Sequence, residues 1–304
     1  MARHFLTDLD VSSTAQAELL ARARAMKADP DAYRALLPGK ILGMIFQKRS
    51  TRTRVSFEAG MIQLGGQAIF LSANDIQIGR GEPIADTGAV LSRYVDIVMI
   101  RTFEHAEVRD LAAASDVPVI NGLDDRLHPC QALADLMVIQ EHKGSLAGLQ
   151  LAYVGDGNNV SHSLMLAGAR AGVHVRVVCP DGYAPADDML AQAKEAARAT
   201  GARIDVTHSL DGVADADAVY TDVWASMGQE GQAAARHAQF ERYRVTPELM
   251  RRAKPDAIFL HCLPAHRGEE VAAAVIDGPQ SVVFDQAENR LHTQKALVAH
   301  LLGA

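Results

Sequence analysis

Ile41-Leu42-Gly43-Met44-Ile45-Phe46-Gln47-Lys48-Arg49-Ser50-Thr51-Arg52-Thr53-Arg54 is the stretch that decides how this chain folds. Its first six residues form an apolar run of strand length. A strand covered on both faces reads this way, and such strands belong to parallel sheets flanked by helices. Hydroxyls and guanidiniums then crowd together, and a helical period begins over 52–64. The first turn of a helix has unpaired N–H groups and the positive end of the dipole, so this junction suits an anion. Ser50, Thr51 and Thr53 add hydroxyl donors, and Arg52 can grip a phosphate with two parallel bonds. Capping alone would need only one hydroxyl. The stretch is not a Walker loop, which requires a Gly-rich run ending in Gly-Lys-Ser/Thr.

The same alternation continues on both sides. Ser13 with Gln16 reads as a capping box opening a helix to about Met26. Strands are expected over 68–71, 96–100 and 117–121, with helices over 83–94 and 107–114. A second series follows, with strands over 149–154, 174–179, 203–207, 218–222, 257–262 and 282–285. A helix over 129–142, with Pro129 at a favoured first position, joins the two series, and a last helix covers 287–302. Between Ala225 and Arg244 the pattern weakens into an expected mobile loop with a short helix. The fold class is therefore α/β: two doubly wound parallel-sheet domains, 1–128 (with about 287–304) and 129–286, joined by helices. Small-molecule sites often lie in the cleft such an arrangement creates.

A length of 304 residues suits two domains. The balance of 48% hydrophobic and 22% charged residues is that of a globular protein. A net charge of -7 argues against a general nucleic-acid binder. Residues 1–10 lack the basic start and apolar run of a secretory signal, and no apolar stretch reaches the ~20 residues needed to cross a bilayer. Cys130, Cys179 and Cys262 form no C-x-x-C pair, which fits a reduced cytoplasmic protein. Neither nucleic acid nor membrane is an expected partner.

Other candidates sit at strand ends, where open α/β sheets bind ligands. Arg101 follows one strand. In His128-Pro129-Cys130-Gln131 an imidazole and a carboxamide stand one turn apart at a helix start. Gly155-Asp156-Gly157-Asn158-Asn159 follows another strand but lacks the third glycine of a dinucleotide fingerprint, since Val160 stands there. It reads better as a tight turn presenting Asn159. Asp222 ends a strand ahead of Ser226-Met227-Gly228, where a helix cap and turn would read equally well. In His261-Cys262-Leu263-Pro264, adjacent strand residues point to opposite faces, so His261 is a poor base for Cys262. No His/Cys group has the sequence spacing of a zinc site.

Taken in order along nearly the whole chain, these motifs and Arg290 resemble the aspartate/ornithine carbamoyltransferase family, and its ornithine-using branch closely. The resemblance implies transfer of the carbamoyl group of carbamoyl phosphate to L-ornithine, giving L-citrulline and phosphate, in arginine biosynthesis. It implies that Ser50, Thr51, Arg52 and Thr53 hold the phosphate. Arg101 would bridge phosphate and carbonyl oxygen, His128 would donate to that oxygen, and Gln131 would hold the carbamoyl amide. Gln77 would reach the phosphate from a neighbouring subunit of a homotrimer. Asn159, Asp222, Ser226 and Met227 would bind ornithine. Cys262 and Leu263 would lie beside the reacting centre, Arg290 would return to the carbamoyl phosphate side, and the last helix would pack back on the first domain. No metal or organic cofactor is implied.

The aspartate branch has a lysine in the loop where this chain has Gln77-Ile78-Gly79-Arg80, and a second proline-rich motif without this cysteine. Branches using N-acylated ornithine or putrescine stand nearer. An NAD-dependent oxidoreductase would have to rest on Gly155-Asp156-Gly157, and a binding protein that lost catalysis would not need every polar residue named above.

Overall fold

The apolar run Ile41–Phe46 forms strand β1, the second strand of a four-stranded parallel sheet. The computed structural model describes residues 3–225 and 233–304. These divide into two compact units, one running to Ala134 and including Glu288–Ala304, the other covering Asp135–Ala287. In the first unit, α1 (Ser13–Ala28) precedes β1, and α2 (Thr51–Gln63), β2 (Gln67–Ser72), α3 (Ile84–Leu91), β3 (Ile97–Arg101), α4 (His105–Ala113) and β4 (Val119–Leu123) follow. The sheet order is β2-β1-β3-β4. β1 and β3 are buried almost throughout, as interior strands must be, whereas the edge strand β2 is only partly covered. The other edge is capped by the N-terminal segment: Phe5 donates to Val119 O and accepts from Asn121 N, both at 2.8 Å.

Helix α5 (Pro129–Lys143) crosses the division between the units. The second unit holds β5 (Gln150–Val154), α6 (Asn159–Ala171), β6 (His174–Val178), α7 (Asp187–Ala197), β7 (Ile204–Thr207), β8 (Ala218–Thr221), α8 (Ala233–Phe240), α9 (Pro247–Met250), β9 (Ile258–His261) and α10 (Ala273–Ile276). Its five parallel strands run in the order β7-β6-β5-β8-β9. The last helix, α11 (Val283–Leu301), contributes its residues from Glu288 onward to the first unit.

Two expectations fail for physical reasons. The first helix is capped by Ser12, whose hydroxyl accepts from Ala15 N at 3.1 Å, so Ser13 is the first helical residue and not the cap. Two adjacent serines offer the same chemistry, and only geometry chooses between them. Residues 282–285 are not a strand. Ser281 makes one isolated bridge to Phe259, Val282 N donates to Phe259 O, and the helix starts at Val283. The β-branched pair Val282-Val283 favours a strand locally, but helical register brings the Gln286 side chain to His261 N, Asp135 and Tyr220. The expected loop after Ala225 contains α8, and its residues 226–232 lie outside those described.

Candidate active site

Each sheet has one place where connections depart in opposite directions, and ligands of open α/β sheets bind outside the strand ends there. In the first unit this lies between β1 and β3, in the second between β5 and β8. Most of the candidate residues stand at those ends.

At the end of β1 the chain turns through Gln47, Lys48 and Arg49 into α2. Ser50 caps the helix by accepting from Thr53 N at 3.1 Å. That uses one of the four amides a helix start leaves over. Lys48 is almost wholly buried, pairs with Asp125, and stands 4.4 Å over the Phe103 ring. Arg101, the last residue of β3, is buried at a slip in register: Ile100 is opposite Asn121, but Arg101 is opposite Leu123. Such irregularities re-aim side chains. Its carbonyl accepts from Gln47 N at 2.8 Å, tying the two strand ends together.

Arg290, only 2% exposed, links two of the expected residues. It donates to Gln131 Oε1 at 2.7 Å, to Thr53 Oγ1 at 3.1 Å and to Gln294 Oε1 at 2.9 Å. Gln294 in turn donates to Ser56 Oγ, which donates to Arg52 O at 2.6 Å. The start of α2, the start of α5 and the middle of α11 are thus one hydrogen-bonded network. His128 sits among these cations. Its pKa lies well below the ordinary histidine value, first because the ring is buried, then because Arg290, Arg101 and Arg52 repel a proton. A neutral imidazole in a field of three guanidiniums is a hydrogen-bonding group in a place built for negative charge. Cys130, one turn into the same region, is inert by comparison: burial pushes its thiol up to about 12.

Linkage gives a first prediction. His128 takes up a proton more readily unfolded than folded, so between its depressed folded pKa and about 6.5 the unfolded state binds the extra proton. Stability should fall as pH drops below about 6.5. His128→Gln should remove part of that loss, and thermal unfolding midpoints of both proteins at pH 7.5 and 5.5 check it.

In the second unit Asp222, buried just after β8, accepts from Asn158 Nδ2 at 2.8 Å and from Cys262 Sγ at 3.0 Å. Asn158 also caps α6, its Oδ1 accepting from Val160 N, Ser161 N and the Tyr153 hydroxyl. Burial, with Asp222 and Asp156 nearby, holds the Tyr153 hydroxyl well above its usual range. Burial raises the Asp156 pKa, while Arg236 pairs with its carboxylate at 2.6 Å and opposes the rise. His261, the last residue of β9, has its ring nitrogens engaged by groups other than Cys262. Its Nδ1 accepts from Leu263 N at 2.9 Å and its Nε2 lies 3.2 Å from the buried Glu270. Asp222, His261 and Cys262 do bring ligand-type atoms within 4.8 Å of one another, a closeness that sequence spacing could not reveal. Both ring nitrogens of His261 are already engaged, however. Leu263 takes a φ of 59°, a left-handed backbone uncommon for a branched residue.

The glycines of Gly155-Asp156-Gly157 serve the chain itself. Gly155 has a φ of 146°, and a Cβ on Gly157 would come 2.3 Å from Pro185 N. The turn is therefore shaped for packing against 184–185, which removes the main support for a dinucleotide site.

The first unit brings together Ser50, Arg52, Thr53, Arg101, His128, Gln131 and Arg290, with Thr51 exposed on the first turn of α2. The second unit brings Asp222 and Cys262 together, followed by Leu263. Asn159 is the half-buried first residue of α6, and it is its neighbour Asn158 that bonds Asp222. Gln77 is exposed on a 3-10 turn, Gln77–Arg80. Ser226 and Met227 lie outside the described residues. Sequence reading passed over Asn158 and Lys48. Asparagine before an apolar helical period is a cap signal that could have found the first. Nothing in sequence links Lys48 to Asp125.

Two family models match the chain. The carbamoyl-P binding domain of aspartate/ornithine carbamoyltransferase matches residues 3–141, and the Asp/Orn binding domain matches 147–301. The chain belongs to the aspartate/ornithine carbamoyltransferase family, and is a transferase of that class. It is 58% identical over 289 residues to an ornithine carbamoyltransferase of Listeria monocytogenes, covering 94% of this chain and 92% of that protein. The structure of the Pyrococcus furiosus ornithine carbamoyltransferase superposes with a TM-score of 0.96 at 52% identity, over 100% of this chain and 98% of that one. An anabolic ornithine carbamoyltransferase from Campylobacter jejuni superposes with a TM-score of 0.93 at 37% identity, covering 98% of both chains.

Proposed function

We propose that this chain acts as an ornithine carbamoyltransferase, converting carbamoyl phosphate and L-ornithine to L-citrulline and phosphate. The observation that carries the reading is the convergence of Arg52, Arg101 and Arg290 on a neutral, buried His128 beside a capped helix start. Ser50, Thr51, Arg52 and Thr53 bind the phosphate. Gln131 and Arg290 hold the carbamoyl end, and Asn159, Asp222, Ser226 and Met227 take the amino-acid end of ornithine, with Cys262 and Leu263 beside the reacting amine.

The chemistry follows from charge. The neutral δ-amine attacks the carbonyl carbon, forming a C–N bond, and the carbonyl electron pair moves onto oxygen. Arg101, Thr53 and His128 donate to that oxyanion. As the carbonyl re-forms, the C–O bond to phosphate breaks and phosphate leaves with the electron pair, its charge met by guanidiniums and the helix start. The nitrogen gives up its extra proton to the departing phosphate. Ornithine's amine is mostly protonated at neutral pH, like lysine's, so the enzyme must take its neutral form. The Cys262 thiol bonded to Asp222 is suited to receive an amine there. Citrulline formation from the two substrates, measured colorimetrically on purified protein, tests the reading, and no citrulline would defeat it.

The working protein is a cytoplasmic homotrimer in arginine biosynthesis. Among the described residues no helix is long and apolar enough to cross a membrane. The α2 face beside the phosphate residues supports assembly: Val55 and Ile62 are 57% and 65% exposed, and a cavity of about 830 Å³ there is lined by Ser50, Thr51, Arg54, Val55, Ile62 and Phe70. Apolar exposure next to a site suits a neighbouring copy bringing its Gln77. Arg52→Ala and Gln77→Ala chains, each impaired alone, should therefore complement when mixed through mild unfolding and refolding. About a quarter of randomly formed interfaces would pair intact Arg52 with intact Gln77. No recovery after confirmed exchange would count against the shared site.

A further inference from the structure

His128 is delivered to its site by a turn whose centre is a wholly buried carboxylate. Asp124 has no solvent exposure. Its Oδ1 accepts from Arg126 N and Leu127 N, both at 2.7 Å, and its own N–H donates to Leu127 O at 3.0 Å. Leu127 is thereby held at both its amide and its carbonyl, and that carbonyl belongs to the peptide that begins His128. The second oxygen faces the body of the unit. Oδ2 accepts from Asn121 Nδ2 at 2.8 Å and stands 2.6 Å from His105 Nδ1. A carboxylate only accepts, so His105 carries its proton on Nδ1 in that bond. Asn121 is itself fixed to Leu6 O at 2.9 Å, and Asp125 N donates to Phe103 O at 2.8 Å.

We propose that Asp124 is a positioning residue for carbamoyl transfer: by pinning 124–127 it sets where the His128 ring stands, and His105 anchors Asp124. This rests on the carbamoyl-transfer reading. Removing one oxygen pair releases two backbone amides of the turn and leaves them to seek other partners. The turn then loses the side-chain half of its clamp, keeping only the backbone bond from residue 124 to Leu127 O, while the anion-binding side chains on α2, β3 and α11 keep theirs. Catalysis is sensitive to such displacement, since a misplacement of about 1 Å can cost roughly a hundred-fold.

The experiment is a double-mutant cycle on the full-length protein, read as kcat and as KM for carbamoyl phosphate at saturating ornithine. Asp124→Ala should lower kcat about a hundred-fold with a KM change within about three-fold. In a His128→Ala background the same substitution should add less than about three-fold, because its effect passes through the missing ring. His105→Ala should lower kcat about ten-fold and likewise do almost nothing once His128 is gone. Asp124→Asn, which keeps an acceptor for the turn amides, should recover most of the loss. Should Asp124→Ala fail to fold, the His105→Ala cycle and Asp124→Asn decide. Losses that multiply in the His128→Ala background, or a KM rise in place of a kcat fall, overturn the proposal. A wild-type protein that makes no citrulline instead overturns the carbamoyl-transfer reading beneath it.

Discussion

Arg101→Ala should cut turnover about a hundred- to a thousand-fold even at saturating carbamoyl phosphate. The size follows from when the interaction matters. Arg101 is buried at the end of β3, where the slip in pairing with β4 sets its backbone and Gln47 ties that backbone to β1. A guanidinium so held needs no reorganisation as charge builds on the carbonyl oxygen, and a donor preorganised toward a developing oxyanion acts on the barrier more than on binding. Arg52 makes the contrast. It lies half-buried in the first turn of α2, and its proposed contact is with a phosphate already charged in the ground state. Arg52→Ala should therefore act chiefly through the KM for carbamoyl phosphate, with Arg101→Ala lowering kcat and kcat/KM together. Steady-state kinetics on both variants check this, and Arg101→Ala with near-normal kcat at saturation would remove the oxyanion role.

What could be read from sequence here was whatever a short stretch encodes by itself. The run 41–46 carried its own period, and its strand appears with the same limits. Pro129 marked the start of α5 for the same reason. Residues 282–285 misled because β-branched side chains favour a strand locally, while Gln286 has its partners far off in sequence at Asp135, Tyr220 and His261. The site shows the same division. The helix start after Ser50 is local and was legible. The contacts Arg290 makes with Gln131 and Thr53 join three distant segments, and without the family resemblance Arg290 would have been one more helical arginine. Asn158 was overlooked beside Asn159 because two adjacent amides look alike until a backbone decides which one caps. The same ambiguity moved the first cap from Ser13 to Ser12.

Free L-ornithine should exceed N-acetylornithine, putrescine, lysine and aspartate in kcat/KM, by about ten-thousand-fold wherever a buried polar partner is left unmatched. Asp222 is the reason. It is a buried carboxylate whose two partners among the described residues, the Asn158 amide and the Cys262 thiol, carry no charge. The neighbouring Asp156 already has Arg236 for its cation. A buried carboxylate held in place by neutral donors gains most from a ligand that brings a positive charge, because its own desolvation is otherwise poorly compensated. The α-ammonium of ornithine supplies that charge. Acetylation removes it and adds bulk, and putrescine lacks the carboxylate proposed to meet Asn159. Lysine keeps both groups but places its reacting amine one methylene too far, a smaller penalty of about 10- to 200-fold. Asp222→Asn keeps the volume and removes the charge, so it should lower kcat/KM for ornithine while narrowing the gap to N-acetylornithine. Competition among these amines on purified protein measures both effects. Equal or better use of any other amine would overturn the ornithine assignment and leave carbamoyl transfer standing, because the carbamoyl phosphate residues proposed in the first unit do not depend on Asp222.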